Sequence, residues 1–459
     1  MKVEKLNAFF LYFSKDAHLL HCSPSQQLIY LMKNLIAFAL TLIGLSAFAQ
    51  KRDTLAQKYD RPLVVYAPGR GFMPFTHGQQ REHAPVVSGS IKTGADQTKL
   101  YLPYLQGKNV AMLINKTSVI GPKLTPSVDS LLKLGVKIKK IFGPEHGFRG
   151  NNADGADVED FTDKTTGIPV LSLYGKRQYK PSAEDLKGID IVIFDMQDVG
   201  ARFYTYLTSL HYIMEACAEN KVELMILDRP NPNGFYVDGP VLDTAYKSTV
   251  GMHPIPIVHG MTIAEYAQMI NGEGWLKNHI KCKLKIIPVA NYLHATPYKL
   301  PIDPSPNLNT NQAVLLYPSI CLFEGTTLSL GRGTAFPFQV VGHPSLKGKF
   351  AFSFTPKSIP GVSDNPPLKG QTCYGIDLQK FDTKQLHTSG HINLAWLIEM
   401  YKAFPDKAHF FTAYITKLSG GETLRRQIEG GMSEEDIRMS WEPALSKYKI
   451  MRRKYLLYQ

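Results

Sequence analysis

The stretch IDIVIFDMQDVGARFYTYLTSLHYIMEACAENKVELMIL, residues 189–227, decides the fold class. Ile189–Phe194 and Val222–Leu227 are short and almost continuously apolar, so they read as strands buried on both faces. Between them, Tyr206–Asn220 places Leu207, Leu210, Ile213, Met214 and Cys217 on one side of a helix. A strand, an amphipathic helix and a second strand make a βαβ unit with parallel pairing. The pattern recurs towards the N-terminus. Val110–Ile114 is a short apolar strand, and Pro126–Leu134 has helical spacing with Val128, Leu131 and Leu132 inward. Val136–Phe142 and Val170–Leu173 are further strands, and the three lysines of the former predict a place near the sheet edge. The expectation is an α/β protein whose N-terminal domain is a Rossmann-like parallel sheet covered by helices.

Towards the C-terminus, Thr262 followed by Glu265 forms a capping box that opens a helix to about Asn271. Cys282–Val289 reads as a strand and Leu394–Phe404 as a helix. Ser433 with Asp436 starts a C-terminal helix, and a basic helix ends near Tyr455. The predicted division is a leader at 1–49, an extended arm at 50–90, a Rossmann-like domain at 91–250 and a C-terminal α/β domain at 251–459. The length of 459 residues suits two or three domains, and a charged fraction of 20% with 44% hydrophobic residues belongs to a globular chain.

Met32-Lys33-Asn34, then LIAFALTLIGLSAFA, reads as a secretory signal peptide cleaved after Ala49, with translation starting at Met32. The apolar run is too short and wrongly flanked for a membrane span, so an exported, periplasmic or secreted protein without stable membrane insertion is expected. The net charge of +13 suits an anionic polymer such as cell wall. Nucleic acid is disfavoured, because the basic residues are scattered and no recognition motif occurs. Cys217, Cys282, Cys321 and Cys373 are widely spaced, which argues against a zinc site and for free buried thiols. NADGADVED, Asn152–Asp160, lacks EF-hand spacing and reads as a solvated loop. No GxGxxG follows the first strand, so neither metal nor nucleotide cofactor is expected. Nothing in the pattern specifies an oligomeric state.

In open parallel sheets ligands bind outside the carboxyl ends of the strands. Those ends carry Asn115, then Glu145, His146 and Arg149, then Asp195, Gln197, Asp198 and Arg202, then Asp228 and Asn231. Glu145, set between Pro144 and His146 in IFGPEHGFRG, is the candidate proton donor. His146 is either a second catalytic group or a structural histidine. Asp198 or Asp195 would supply a second carboxylate, the usual equipment of glycoside hydrolysis. Arg149, Arg202 and Arg332 are candidates to clamp an anionic group.

FGPEHGFRG, DMQDVGARFYTY, LDRPNPNG with VDGPVLD, IPIVHGMTIAEYA, PSPNL, YPSICLFEGTTLSLGRGTAFPFQVVGHP and LSGGETLRRQIEGG occur in one order and spacing. Together they resemble the exo-β-N-acetylmuramidase family, from about Ile91 to the C-terminus. The resemblance implies an enzyme that removes N-acetylmuramic acid from the non-reducing end of peptidoglycan-derived saccharides. It implies an active cleft between the Rossmann-like and C-terminal domains, with Glu145 on the family's proposed catalytic glutamate. Tyr204, Asn307, Glu324 and Arg332 fall within the same strings and become candidate substrate contacts. The PSPN segment continues as Leu308-Asn309-Thr310 where the family pattern has Met-Pro, and Lys116 stands where Gln or His is common. A non-catalytic module that holds muramyl ends in the same cleft is the alternative reading.

Overall fold

The computed structural model describes residues 89–144, 148, 159–175 and 177–459. The leader and most of the arm, the region expected to carry the signal peptide, lie outside the described residues, as do Glu145, His146 and Arg149.

The main sheet contains β1 (Asn109–Ile114), β4 (Lys137–Gly143), β5 (Phe161–Thr162), β6 (Pro169–Ser172), β7 (Ile191–Asp195), β8 (Glu223–Leu227) and β9 (Leu284–Ile287). A small hairpin, β2 (Val119–Ile120) with β3 (Thr125–Pro126), follows β1. The sheet order is β5-β6-β4-β1-β7-β8-β9, parallel throughout except for the edge pair β5–β6. Its six parallel strands therefore run 3-2-1-4-5-6 in order of appearance, the Rossmann arrangement, with the chain reversing its direction of growth between β1 and β7.

The continuous apolar runs produce this sheet because both faces are covered. In β1, Val110, Met112 and Ile114 point into one core, and Ala111 and Leu113 into the other. In β7, Ile191 and Ile193 join the first core, and Val192 and Phe194 the second. The helix Tyr206–Glu219 buries Leu207, Leu210, Ile213, Met214 and Cys217 in that second core, as its spacing predicts. The four cysteines Cys217, Cys282, Cys321 and Cys373 are free and buried.

One expectation about the sheet is corrected. The lysine-bearing strand β4 lies inside the sheet, between β1 and β6. Its β6 partner covers only Ile141–Gly143, so the Lys137–Lys140 half has a neighbour on one side alone and its lysines reach solvent or helix carbonyls. The parallel sheet also continues past the expected boundary near Gly251. The helix Ile263–Gly272 packs on the helix Tyr206–Glu219, and β9 completes the parallel sheet beyond it. The described residues from 89 onward belong to one compact unit.

The C-terminal part adds a three-stranded antiparallel sheet, β10 (Val340–His343), β12 (Cys373–Asp377) and β11 (Phe352–Phe354), and several helices. The helix Glu434–Arg452 runs without a break to a short 3₁₀ turn at Arg453–Tyr455, so one helix replaces the two expected. Among the described residues no helix is long and apolar enough to cross a membrane.

Candidate active site

β1 ends at the switch point, and its first loop residue, Asn115, organises the turn. The Asn115 Oδ1 accepts from the Thr117 amide at 2.9 Å and hydroxyl at 2.6 Å, and its Nδ2 donates to the Tyr206 hydroxyl at 2.5 Å. The Ser118 hydroxyl donates to the Asp195 carbonyl, and the Gln197 amide to Thr117 Oγ1 at 3.0 Å. These bonds lock the β1 and β7 loops together before either meets a ligand.

Most polar strand ends turn out to serve this framework. Asp195 is fully buried and accepts from Arg229 Nε at 2.7 Å. Burial works against the Arg229 charge, but the Asp195 carboxylate outweighs it and raises the guanidinium pKa. Gln197 donates to the carbonyls of Asp198 and Pro230 at 2.8 and 2.7 Å. Asp198 is buried and accepts from the Gly200 amide at 2.6 Å, with His259 Nε2 3.7 Å away. Gly200 has φ +79° and no room for a side chain, since a Cβ there would sit 2.1 Å from Asn231 Oδ1. Asn231 in turn donates to the Met261 carbonyl at 2.9 Å and accepts from the Asn233 amide at 2.8 Å. Asp228, fully buried, accepts from the Ala264 amide at 3.0 Å and the Tyr458 hydroxyl at 2.7 Å.

Arg202 does not reach a cleft. It is buried, and its two terminal nitrogens donate to the carbonyls of Pro240, Ile255 and Leu418 at 2.7–2.8 Å. Burial lowers its pKa to about 9. It stitches three loops of backbone, and among the described residues no carboxylate pairs with it.

The expected residues that do converge are Tyr204, Glu324 and Arg332. They line a cavity of about 180 Å³ together with Phe203, Tyr206, Ser305, Tyr317, Phe338 and Tyr414. At about 30 Å³ per water this holds on the order of six waters, which suits a sugar end or a substituent rather than a glycan strand. The aromatic walls are mutually braced. Tyr317 meets Phe203, Tyr204 and Phe338 edge-on at 5.3, 5.9 and 5.1 Å between ring centres. Tyr204 donates to the Pro304 carbonyl at 2.9 Å, which fixes the PSPN loop against the cavity. Asn307 is buried beneath it, donating to the Val362 carbonyl at 3.3 Å, so it supports that loop. A larger groove of about 830 Å³ runs past Lys349, Ile398 and Glu434, but it holds none of the expected residues.

The cavity touches the switch point through Tyr206, which lines it and also receives Asn115 from β1. β4 arrives beside β1, with Phe142 opposite Leu113, and ends at Gly143 just before the undescribed Glu145. Phe148, five residues past Gly143, is buried in the core face that holds Met112 and Ile114. Sequence reasoning missed the aromatic wall of Phe203, Tyr206, Tyr317, Phe338 and Tyr414. The run Arg-Phe-Tyr-Thr-Tyr at 202–206 was its available signal, since three aromatic residues precede or begin the helix just past a polar strand end.

Both halves of the chain match known family models. These are "Exo-beta-N-acetylmuramidase NamZ, N-terminal" over residues 110–312 and "Exo-beta-N-acetylmuramidase NamZ, C-terminal" over residues 315–458. The chain is 38% identical over 386 residues to peptidoglycan beta-N-acetylmuramidase NamZ of Bacillus subtilis (strain 168), spanning 80% of this chain and 91% of that protein. It is similar to a crystal structure of a DUF1343 family protein from Bacteroides fragilis NCTC 9343, with 47% identity and a TM-score of 0.75 over 81% of this chain and 99% of the other. A second DUF1343 family protein of that organism shows 28% identity and a TM-score of 0.68 over 80% and 99%.

Proposed function

Because the chain belongs to the NamZ exo-β-N-acetylmuramidase family, we propose that it is a glycoside hydrolase acting on peptidoglycan fragments, releasing N-acetylmuramic acid from their non-reducing ends. The observation that carries this is the match across both halves, which spans the switch-point cavity and the strings around it. A small, aromatic-walled pocket, joined to the carboxyl end of β1 through the Asn115–Tyr206 hydrogen bond, suits an enzyme that takes one terminal sugar.

In this reading Glu145 is the general acid that protonates the leaving glycosidic oxygen. β4, the neighbour of β1, ends at Gly143, two residues before Glu145 in the sequence, which supports the role. Asp195 and Asp198 are both buried, each with one oxygen held in a framework hydrogen bond, and their burial disfavours either as a second catalytic carboxylate. That favours attack by the substrate's own 2-acetamido group, a known alternative to the two-carboxylate scheme. The apolar segment ending at Ala49 supports export, which brings the enzyme to cell-wall material.

The test compares chromogenic β-N-acetylmuramic acid and β-N-acetylglucosamine glycosides on the wild type and on Glu145→Gln. Release from the muramyl substrate alone is expected, with kcat falling by about 10²–10⁴ in the variant, the range of a general acid. Binding of muramyl saccharides without turnover would replace the enzyme with the binding module.

A further inference from the structure

We propose that Arg332 is the residue by which this site reads the lactyl carboxylate of muramic acid, and that Glu324 positions it. The inference rests on the muramyl substrate reading above. The lactyl carboxylate is the group that distinguishes this sugar from N-acetylglucosamine, so a site selective for it needs an oriented cation.

Three described arginines can be compared. Arg202 is buried and engaged with backbone carbonyls, and Arg229 is buried against Asp195. Arg332 is the one described arginine in the wall of the cavity, and its side chain is 22% exposed. Its Nε and Nη2 both donate to Glu324 Oε1, at 3.2 and 2.6 Å, and the guanidinium carbon lies 5.0 Å from the centre of the Phe338 ring. Salt bridge and ring together fix the plane of the fork.

The backbone is built for this placement. Arg332 sits between Gly331 and Gly333, whose φ values are +84° and +78°. A Cβ at Gly333 would lie 2.4 Å from the Lys357 carbonyl oxygen, and one at Gly331 2.8 Å from Val340 Cγ2. Only glycines accept both the left-handed backbone and the close approach. The Gly-Arg-Gly turn thus presents one side chain at a defined angle, over a floor of Phe338 and Tyr317.

Recognition depends on directed hydrogen bonds from an already oriented fork.

The experiment uses three chromogenic β-glycosides: N-acetylmuramic acid, its lactyl amide and N-acetylglucosamine. Each is assayed on the wild type, Arg332→Lys and Arg332→Gln, with calorimetric binding of free N-acetylmuramic acid alongside. The wild type is expected to prefer acid over amide by about tenfold to a hundredfold in kcat/KM, the scale of a charge-assisted hydrogen bond. Arg332→Gln should bring that ratio near one, chiefly through KM, and Arg332→Lys should restore part of it. A variant that loses both substrates equally while keeping the ratio overturns the proposal, because that is the mark of a merely structural arginine. Equal wild-type turnover of acid and amide overturns it too, and leaves the exo-muramidase reading standing. Tight binding of the acid without turnover, lost in Arg332→Gln, supports the proposal and removes the enzyme reading.

Discussion

Asp228 directly follows β8, where a catalytic carboxylate of such a fold would stand, yet it is fully buried and holds Ala264 and Tyr458. Burial raises its pKa from 3.8 to about 7, against the pull of its hydrogen-bond donors. The native protein therefore keeps a proton on Asp228 in a range where the unfolded chain has lost it. Stability from this group is fully present below pH 3.8 and is lost as pH rises towards about 7. Asp228→Asn should remove that decline, worth a few kcal/mol at ~1.4 kcal/mol per pKa unit. Urea unfolding of both proteins from pH 4 to pH 7 checks this, and parallel slopes would contradict it. Asp195, Asp198, Asn231 and Arg202 teach the same lesson. A linear pattern shows that polar groups gather at strand ends, but it does not separate those that satisfy buried backbone from those that face substrate. Tyr204, Glu324 and Arg332 were legible because they lie in long family strings, and they are the ones that reach the cavity.

At the scale of elements, the strands were legible wherever both faces are buried, as in β1, β7 and β8, because continuous apolar runs leave little ambiguity. The lysines of β4 misled, since exposure there comes from a short neighbour and not from the sheet edge. The capping box at Thr262 and Glu265 was legible and forms as expected, with reciprocal bonds of 3.4 and 2.8 Å. Its second duty was hidden. Glu265 Oε1 also accepts from His294 Nε2 at 2.9 Å and from the amides of Leu457 and Tyr458 at 2.8 and 3.2 Å. Thr262→Ala should cost about 1 kcal/mol, the ordinary value of a cap. Glu265→Ala should cost about 3 kcal/mol or more, because several buried donors lose their acceptor together. Equal losses in chemical denaturation would show that anchoring the tail contributes nothing.

Over the whole molecule, that tail ties the end of the chain to the first sheet. Tyr458 donates to Asp228 at the end of β8 and accepts from the Val289 amide just past β9, so the last residues close the first sheet. Contacts spanning some two hundred residues leave no periodicity to read. The small aromatic pocket is likewise walled from both halves of the chain, by Phe203, Tyr204 and Tyr206 on one side and Tyr317, Arg332 and Phe338 on the other. Such a pocket should accept one terminal sugar and exclude internal bonds. The direct measurement is digestion of defined glycan oligosaccharides capped at the non-reducing end by either N-acetylmuramic acid or N-acetylglucosamine, followed by mass spectrometry. A single N-acetylmuramic acid released from the first, with the second left intact, is the predicted result. Internal fragments, or equal digestion of both, would contradict the account.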